Sequence, residues 1–116
     1  MYKKVAILGS GSWATALAKM VMHNQAEINW FIRRQEAIDE FIATGKNPTY
    51  LGMASFDVGR IHFSSDINQT VAQSDVLILA IPSPYIKKTL NKIRRDMRHK
   101  IVINAVKGMM PDENIR

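Results

Sequence analysis

A glycine-rich turn placed directly after a short apolar strand is the feature that most limits what this chain can fold into. The apolar run Val5–Leu8 is followed by the loop GSGSWA over residues 9–14, which has the pattern G-x-G-x-x-A. Such a strand-to-helix turn is typical of folds that bind dinucleotides. Gly9 permits the tight turn, Gly11 lets the backbone approach a pyrophosphate, and Ala14 allows close packing of helix against strand. The backbone N–H groups that open the following helix then face the phosphates.

Apolar runs alternate with helical patterns along the rest of the chain, as in a parallel sheet with crossover helices. The predicted strands are Lys4–Leu8, Ile28–Ile32, Ile61–Ser64, Val76–Ile81 and Ile101–Ala105. The predicted helices are Ser12–His23, Gln35–Ala43, Asp66–Gln73 and Pro84–Arg98. Right-handed crossovers favour a Rossmann-type α/β fold with strand order 3-2-1-4-5 and helices on both faces. The run Val76–Ile81 lacks polar alternation, which predicts a central strand beside the first.

Three local signals refine this plan. Ser64 to Asp66 supplies helix-start side chains for the third helix. In the last helix, an apolar stripe of Ile86, Leu90, Ile93 and Met97 is predicted to be buried. Residues 47–59 contain a proline and two glycines without a clear period, which predicts an irregular connection.

Length and composition limit the function classes. A chain of 116 residues fits one dinucleotide-binding domain, residues 1–116, but is short for a complete dehydrogenase with its substrate domain. The segment Pro111–Arg116 resembles the opening turn of another helix, so we expect the domain to be truncated there. Cysteine is absent and the three histidines lack ligand spacing, so no metal site is predicted. The apolar runs are too short for a signal peptide or a membrane span.

The end of the second strand bears on the choice of cofactor. An NAD-specific site normally has an acidic residue there, whereas this chain has Arg33 and Arg34. Their guanidinium groups suit a 2′-phosphate or stacking on adenine, so NADP should be tolerated or preferred. The alternative is that one or both arginines are solvated surface charges.

Two further candidates follow the fourth and fifth strands, at the edge of the sheet where ligands of such folds bind. Pro82 would offer a rigid apolar wall to the cofactor, or it simply stops a strand. Lys107 carries a charge suited to a substrate phosphate or carbonyl, although a lone lysine is more often a surface residue.

Basic residues dominate the last predicted helix and its end, within a net charge of +6. They are Lys87, Lys88, Lys92, Arg94, Arg95, Arg98 and Lys100, with Asp96 as the single acid. A nucleic-acid or membrane surface would explain them, but a stacking platform beyond Tyr85 is missing. We interpret them as a solvated face and predict neither partner.

Several motifs in this order give the chain a family resemblance: Gly9-Ser10-Gly11-Ser12-Trp13, Arg33, Asn47-Pro48-Thr49-Tyr50-Leu51, Ile81-Pro82-Ser83 and Val106-Lys107-Gly108. The chain resembles the N-terminal domain of bacterial NAD(P)-dependent glycerol-3-phosphate dehydrogenase over essentially its whole length. It departs from that family at Ala14, usually glycine, and at Val106, commonly serine.

The resemblance implies reversible reduction of dihydroxyacetone phosphate to sn-glycerol 3-phosphate by NADH or NADPH, for phospholipid synthesis in the cytoplasm. It implies cofactor contacts from Ser12, Trp13 and Arg33, less firmly from Arg34 and Tyr50, and a position for Lys107 where cofactor and substrate meet. We count Gly9, Ser10, Gly11 and Pro82 with the cofactor-binding residues. The family's proton-transferring lysine lies in a helical C-terminal domain, so no catalytic residue is expected here. A homodimer is expected of the full-length enzyme. The alternatives are another two-domain dehydrogenase, of the hydroxyacyl-CoA or ketopantoate type, and a non-catalytic nucleotide-binding module.

Overall fold

The computed structural model describes residues 3–48, 55–94 and 96–105. The strands are β1 (Val5–Leu8), β2 (Ile28–Phe31), β3 (Ile61–Ser64), β4 (Val76–Leu79) and β5 (Ile101–Asn104). The helices are α1 (Ser12–Val21), α2 (Gln35–Thr44), α3 (Ile67–Ala72) and α4 (Ser83–Leu90), with a short 3-10 helix at Val58–Arg60. Each element overlaps a predicted one except the 3-10 helix.

The strands form one parallel sheet in the order β3-β2-β1-β4-β5, which confirms the predicted topology. β1 lies at its centre, where Ile7 pairs with Trp30 of β2 and with Ile78 of β4. The run of β4 is buried at Leu77, Ile78 and Leu79, as its unbroken apolar sequence predicts. The carboxyl ends of β1, β2 and β4 therefore meet at one edge, where the glycine turn follows β1.

Two apolar layers cover the sheet, one on each face. Alternate residues of β1 divide between them: Ile7 joins the layer of α1 and α2, and Leu8 joins that of α3. Partly buried Ile86 and Leu90 of α4 pack on this second layer. The helices thus occupy both faces, as predicted.

The fourth helix is shorter than predicted, since α4 ends at Leu90 and not at Arg98. Asn68 of α3 provides the physical reason. Its amide nitrogen donates to the carbonyl of Lys92 at 3.1 Å and its amide oxygen accepts from the backbone N–H of Arg94 at 2.6 Å. These bonds take backbone groups that a continuing helix would need. Ile93 and Met97 still pack against the core, so the predicted stripe does face the core, but its residues are partly buried and not fully buried as predicted.

The connection after α2 is also more ordered than predicted at its end. Asp57 accepts a hydrogen bond from the backbone N–H of Gly59 at the start of the 3-10 helix. Arg60 then donates to the carbonyls of Met22, Gln25 and Ala26, which ties this connection to the end of α1. Asp66 caps α3 through the N–H of Asn68, as the sequence predicts. Over the described ranges, no helix is long and apolar enough to cross a bilayer.

Candidate functional site

The first glycine of the loop is fixed by both its backbone angle and its surroundings. Gly9 has φ of 131°, a value that side-chain-bearing residues rarely adopt. A Cβ placed there would lie 2.4 Å from the carbonyl oxygen of Ala80. The backbone N–H of Gly9 donates to the carbonyl of Phe31 at 3.1 Å. The turn is therefore clamped between the ends of β2 and β4.

The second glycine has a different reason to be glycine. Gly11 is the N-cap of α1 with φ of −79° and ψ of −168°, extended angles that any residue adopts. A Cβ built on it would meet nothing within 4 Å. The missing side chain leaves open space beside the backbone, as close approach of a ligand requires.

Three side chains hold the three consecutive carbonyl groups of the loop. The indole Nε1 of Trp30 donates to the carbonyl of Gly9 at 2.6 Å. The amide nitrogen of Asn47 donates at 2.8 Å to the carbonyl of Ser10, and the hydroxyl of Thr15 donates at 2.8 Å to that of Gly11. With its carbonyls held by the protein, the loop is preorganised to offer N–H groups to an anion, because the first N–H groups of a helix lack intrahelical partners.

The residues that hold the loop are themselves locked by packing. Trp30 is fully buried, and its ring meets Phe41 and Phe56 edge-on at 5.2 Å and 5.5 Å between centroids. Asn47 is 3% exposed and also donates to the Thr15 hydroxyl at 2.8 Å. The buried network therefore joins β2, α1 and the segment after α2 to one loop.

A groove of about 440 Å³ opens at this edge of the sheet. Its lining comes from the loop, the end of β2 and the start and exposed side of α4: Gly9, Ser10, Gly11, Phe31, Arg33, Ile81, Pro82, Tyr85, Lys88, Thr89 and Lys92. This set includes three cations and no carboxylate. The groove is thus suited to an anionic ligand with an apolar part.

The structure separates the two predicted arginines. Arg33 lines the groove. Arg34 lies at the N-cap of α2 and places its guanidinium 3.4 Å from the Glu36 carboxylate, with both side chains largely exposed. Arg33 is therefore the better placed of the two for a ligand in the groove.

Pro82, Ser12 and Trp13 lie around the same loop. Pro82 lies three residues after the end of β4, is the N-cap of α4 and lines the groove. Ser12 is the exposed first residue of α1. The Trp13 indole donates to the carbonyl of Ala105, just after β5, at 3.3 Å, while 37% of the residue stays exposed. Trp13 therefore links the loop to the end of β5.

Two predicted site residues, Tyr50 and Lys107, lie outside the described residues. The end of β5 is described as far as Ala105, two positions before Lys107. The predicted roles of both residues stay predictions.

Other residues of the site were missed by sequence reasoning. Tyr85, Lys88 and Lys92 share one side of α4 and its end, at helical spacings of three and four, which would have shown them as one face. Asn47 was recognised within a motif but given no role. Trp30 was given no role beyond its place in the second predicted strand, since no local sequence signal indicates that its indole N–H reaches the loop.

The ionisable side chains of the described residues form no candidate metal site, and the pKa of one carboxyl group is lowered. Within residues 3–48, 55–94 and 96–105, no group of three or more histidines or acids could hold a metal ion. Hydrogen bonds from the side chain and backbone of Arg98 hold the pKa of Asp96 below its ordinary value. This exposed pair follows α4 and is not part of the groove.

Comparison with known proteins gives a consistent result. The sequence profile of the family described as NAD-dependent glycerol-3-phosphate dehydrogenase N-terminus matches residues 4–116. The glycerol-3-phosphate dehydrogenase (NAD(P)+) of Bacillus pumilus is 30% identical over 115 residues, which cover 98% of this chain and 33% of the relative. That of Oceanobacillus iheyensis is 34% identical over 111 residues, covering 94% of this chain and 31% of the relative. The chain thus spans about a third of the length of these relatives.

Solved structures agree with the sequence relatives. A glycerol-3-phosphate dehydrogenase of Plasmodium falciparum superposes with a TM-score of 0.74 at 28% identity, covering 86% of this chain and 31% of that one. A glycerol-3-phosphate dehydrogenase from yeast superposes with a TM-score of 0.72 at 18% identity, over the same shares of both chains, and shows likeness of fold alone.

Proposed function

The chain belongs to the NAD-dependent glycerol-3-phosphate dehydrogenase family, in which it corresponds to the N-terminal domain, and we propose that it binds NAD or NADP in the groove beside the glycine loop. The anchored loop carries this proposal. Side chains hold the carbonyls of Gly9, Ser10 and Gly11, and open space lies beside Gly11, where a pyrophosphate would approach.

The groove suggests how the rest of the cofactor lies. The loop and the start of α1, with Ser12 and Trp13, would hold the pyrophosphate. Arg33 and the wall formed by Ile81 and Pro82 would hold the adenosine half. A planar guanidinium can stack on adenine or bond a phosphate in a bidentate manner. Arg34 and Tyr50 belong to the same proposed set, with Arg34 contributing less because Glu36 engages its charge.

The reaction proposed for the whole protein is interconversion of dihydroxyacetone phosphate and sn-glycerol 3-phosphate. When bound, the reduced cofactor would provide the hydride for the substrate carbonyl carbon, and an acid would protonate the oxygen. Residues 1–116 form the cofactor-binding domain, Lys107 meets the substrate beside the cofactor, and a helical domain supplies the proton-transferring lysine. We also propose that the whole protein is a homodimer in the cytoplasm and that its product is used for phospholipid synthesis.

Calorimetric titration of the chain with NADH and NADPH tests the binding step. We expect saturable binding of both, and no oxidation of either when dihydroxyacetone phosphate is added to this domain alone. A folded sample that binds neither nucleotide would contradict the proposal. Oxidation dependent on dihydroxyacetone phosphate would instead show that the domain already holds the catalytic acid.

The two arginines provide a matched pair of variants for the adenosine end. Arg33→Ala should weaken NADPH more than NADH, by about 1–3 kcal/mol if its contact with the 2′-phosphate is charge-assisted. Arg34→Ala removes the same charge outside the groove lining and should have a smaller effect. Equal losses for both cofactors in Arg33→Ala would assign this residue to adenine stacking and remove its 2′-phosphate role.

A further inference from the structure

Lys88 on α4 and Lys92, two residues past its end, share the groove with the glycine loop and Arg33. Lys88 and Lys92 are four residues apart and line the groove with Tyr85 and Thr89. Ile86 and Leu90, on a neighbouring side of the same helix, pack against the core. The core contact therefore fixes which side of α4 turns to the groove, and Lys88 on the helix and Lys92 just past its end both line the groove.

The charge of this groove exceeds what a pyrophosphate on the loop requires. Backbone N–H groups and the helix dipole already serve an anion at the start of α1. Arg33, Lys88 and Lys92 add three positive charges along the lining, which contains no acid to neutralise them. Alternative partners for the lysines are also lacking: the described ion pairs involve Arg34, His62 and Arg98.

We propose that Lys88 and Lys92 bind, together with Arg33, the 2′-phosphate of NADP, which makes α4 a determinant of NADPH preference. The inference rests on the proposed binding of a dinucleotide in this groove. A 2′-phosphate adds about 1.5 to 2 negative charges at neutral pH. Arg33 provides a planar donor set, whereas each lysine provides a compact charge on a flexible stem that reaches an anion without strict geometry.

The same helix provides a control. Lys87 lies on α4 beside Lys88, is exposed, and is absent from the groove lining. Lys87→Ala removes one positive charge, as Lys88→Ala alone does and half of what Lys88→Ala/Lys92→Ala removes, so it reports the effect of losing one charge outside the groove lining. Because all three lysines are exposed or lie on the solvent side, their truncation should leave the fold intact, which circular dichroism and thermal melting can verify.

Small adenine nucleotides isolate the adenosine end from nicotinamide and substrate. Calorimetry with adenosine 2′,5′-bisphosphate and with 5′-AMP measures the affinity advantage that a 2′-phosphate confers. We expect this advantage to be about tenfold or more in the unmodified chain and to fall to about twofold in Lys88→Ala/Lys92→Ala. Lys87→Ala should retain it, and 5′-AMP should bind all three proteins within about twofold. The advantage should also shrink as salt is raised.

Several results would overturn the inference. They are no advantage in the unmodified chain, an advantage kept by the double variant, and an equal loss in Lys87→Ala. Inorganic phosphate added as a competitor distinguishes a general anion site: if it displaces both nucleotides equally at low millimolar concentration, the lysines do not recognise a 2′-phosphate. If the folded chain binds neither nucleotide nor NADH, the proposed function fails, and this inference fails with it. If NADH and 5′-AMP bind without a 2′-phosphate advantage, the inference alone fails.

Discussion

Replacing each loop glycine by alanine should separate folding from binding. Gly9→Ala puts a methyl group where φ is 131° and where the carbonyl oxygen of Ala80 lies 2.4 Å from the new Cβ. Gly11→Ala puts the same methyl group where the backbone is extended and nothing lies within 4 Å. The same methyl group therefore clashes with the backbone at Gly9 and has open space at Gly11.

The expected magnitudes follow from these surroundings. At Gly9, the unfavourable φ costs of order 1–3 kcal/mol and the displacement of the β4 backbone a similar amount. Gly9→Ala should therefore lower the free energy of unfolding by about 2–6 kcal/mol, a large share of the total for a small domain. At Gly11, the unfolded chain loses freedom while the native chain gains no clash. Alanine is a poorer N-cap than glycine, however, and this loss offsets the gain, so Gly11→Ala should change the free energy of unfolding by less than about 1 kcal/mol.

Nucleotide binding should be affected by Gly11→Ala, the variant that is expected to fold normally. The open space beside Gly11 is where we place the pyrophosphate, so a methyl group there should weaken NADH binding by about tenfold or more, or about 1.4 kcal/mol. Urea denaturation followed by circular dichroism gives the free energy of unfolding, and calorimetry with NADH and ADP-ribose gives the affinity. ADP-ribose carries the pyrophosphate without nicotinamide, so it isolates the contact at the loop.

Two outcomes would refute this reasoning. If Gly11→Ala folds normally and binds ADP-ribose as tightly as the unmodified chain, the pyrophosphate does not lie against Gly11. If Gly9→Ala unfolds at the same urea concentration and with the same slope as the unmodified chain, the close approach of Gly9 to Ala80 does not constrain the turn.

Two other predictions concern the anchors and the surface. Thr15→Val keeps the volume but removes the hydroxyl that holds Gly11 and receives Asn47, so it should weaken ADP-ribose about three- to tenfold. Thr15→Ser keeps the hydroxyl and should preserve the affinity for ADP-ribose, although the lost buried methyl group should lower stability by about 1 kcal/mol. Equal affinities in both variants would show that the hydroxyl bond to Gly11 does not contribute to binding. Because Arg98 lowers the pKa of Asp96 in the folded chain, this pair stabilises the fold above the ordinary aspartate pKa and loses that contribution as pH falls through the lowered value. NMR titration should show the Asp96 pKa rising in Arg98→Ala, and an unchanged value would contradict the assignment.

The sheet and its helices were predictable because their signals are local and repeated. Each strand is a short apolar run, and each crossover helix carries a face at helical spacing, so handedness rules leave few topologies. The strand order followed from these signals without any long-range contact. The end of α4 was not predictable in this way. The side chain of Asn68, on another helix, takes the backbone groups of Lys92 and Arg94, and no property of residues 84–98 announces it.

The residues of the candidate site likewise fall into those with a local sequence signal and those recognised only from distant contacts. The glycine pattern marks the loop, and Arg33 is marked by its place after β2, because both depend on position relative to a strand. The anchors are distant in sequence: Asn47 reaches Ser10 across 37 residues and Trp30 reaches Gly9 across 21. A donor of this kind becomes visible when the fold brings its partner within hydrogen-bond distance.

The distant anchors also bear on why the loop can be both tight and open. Without side-chain donors, the peptide groups of Gly9 and Ser10 could rotate and present oxygen to an anion, which would repel it. The carbonyl of Gly11, in contrast, also accepts a hydrogen bond from the backbone N–H of Thr15 at 3.0 Å. Trp30, Asn47 and Thr15 each donate to one of these carbonyls from the protein side, and all three residues are buried. The loop therefore loses most of its conformational entropy during folding, and the entropy that it loses when a nucleotide binds is smaller. The glycines permit the conformation, whereas the anchors select it, so substitutions at the anchors should alter affinity without adding any group to the groove.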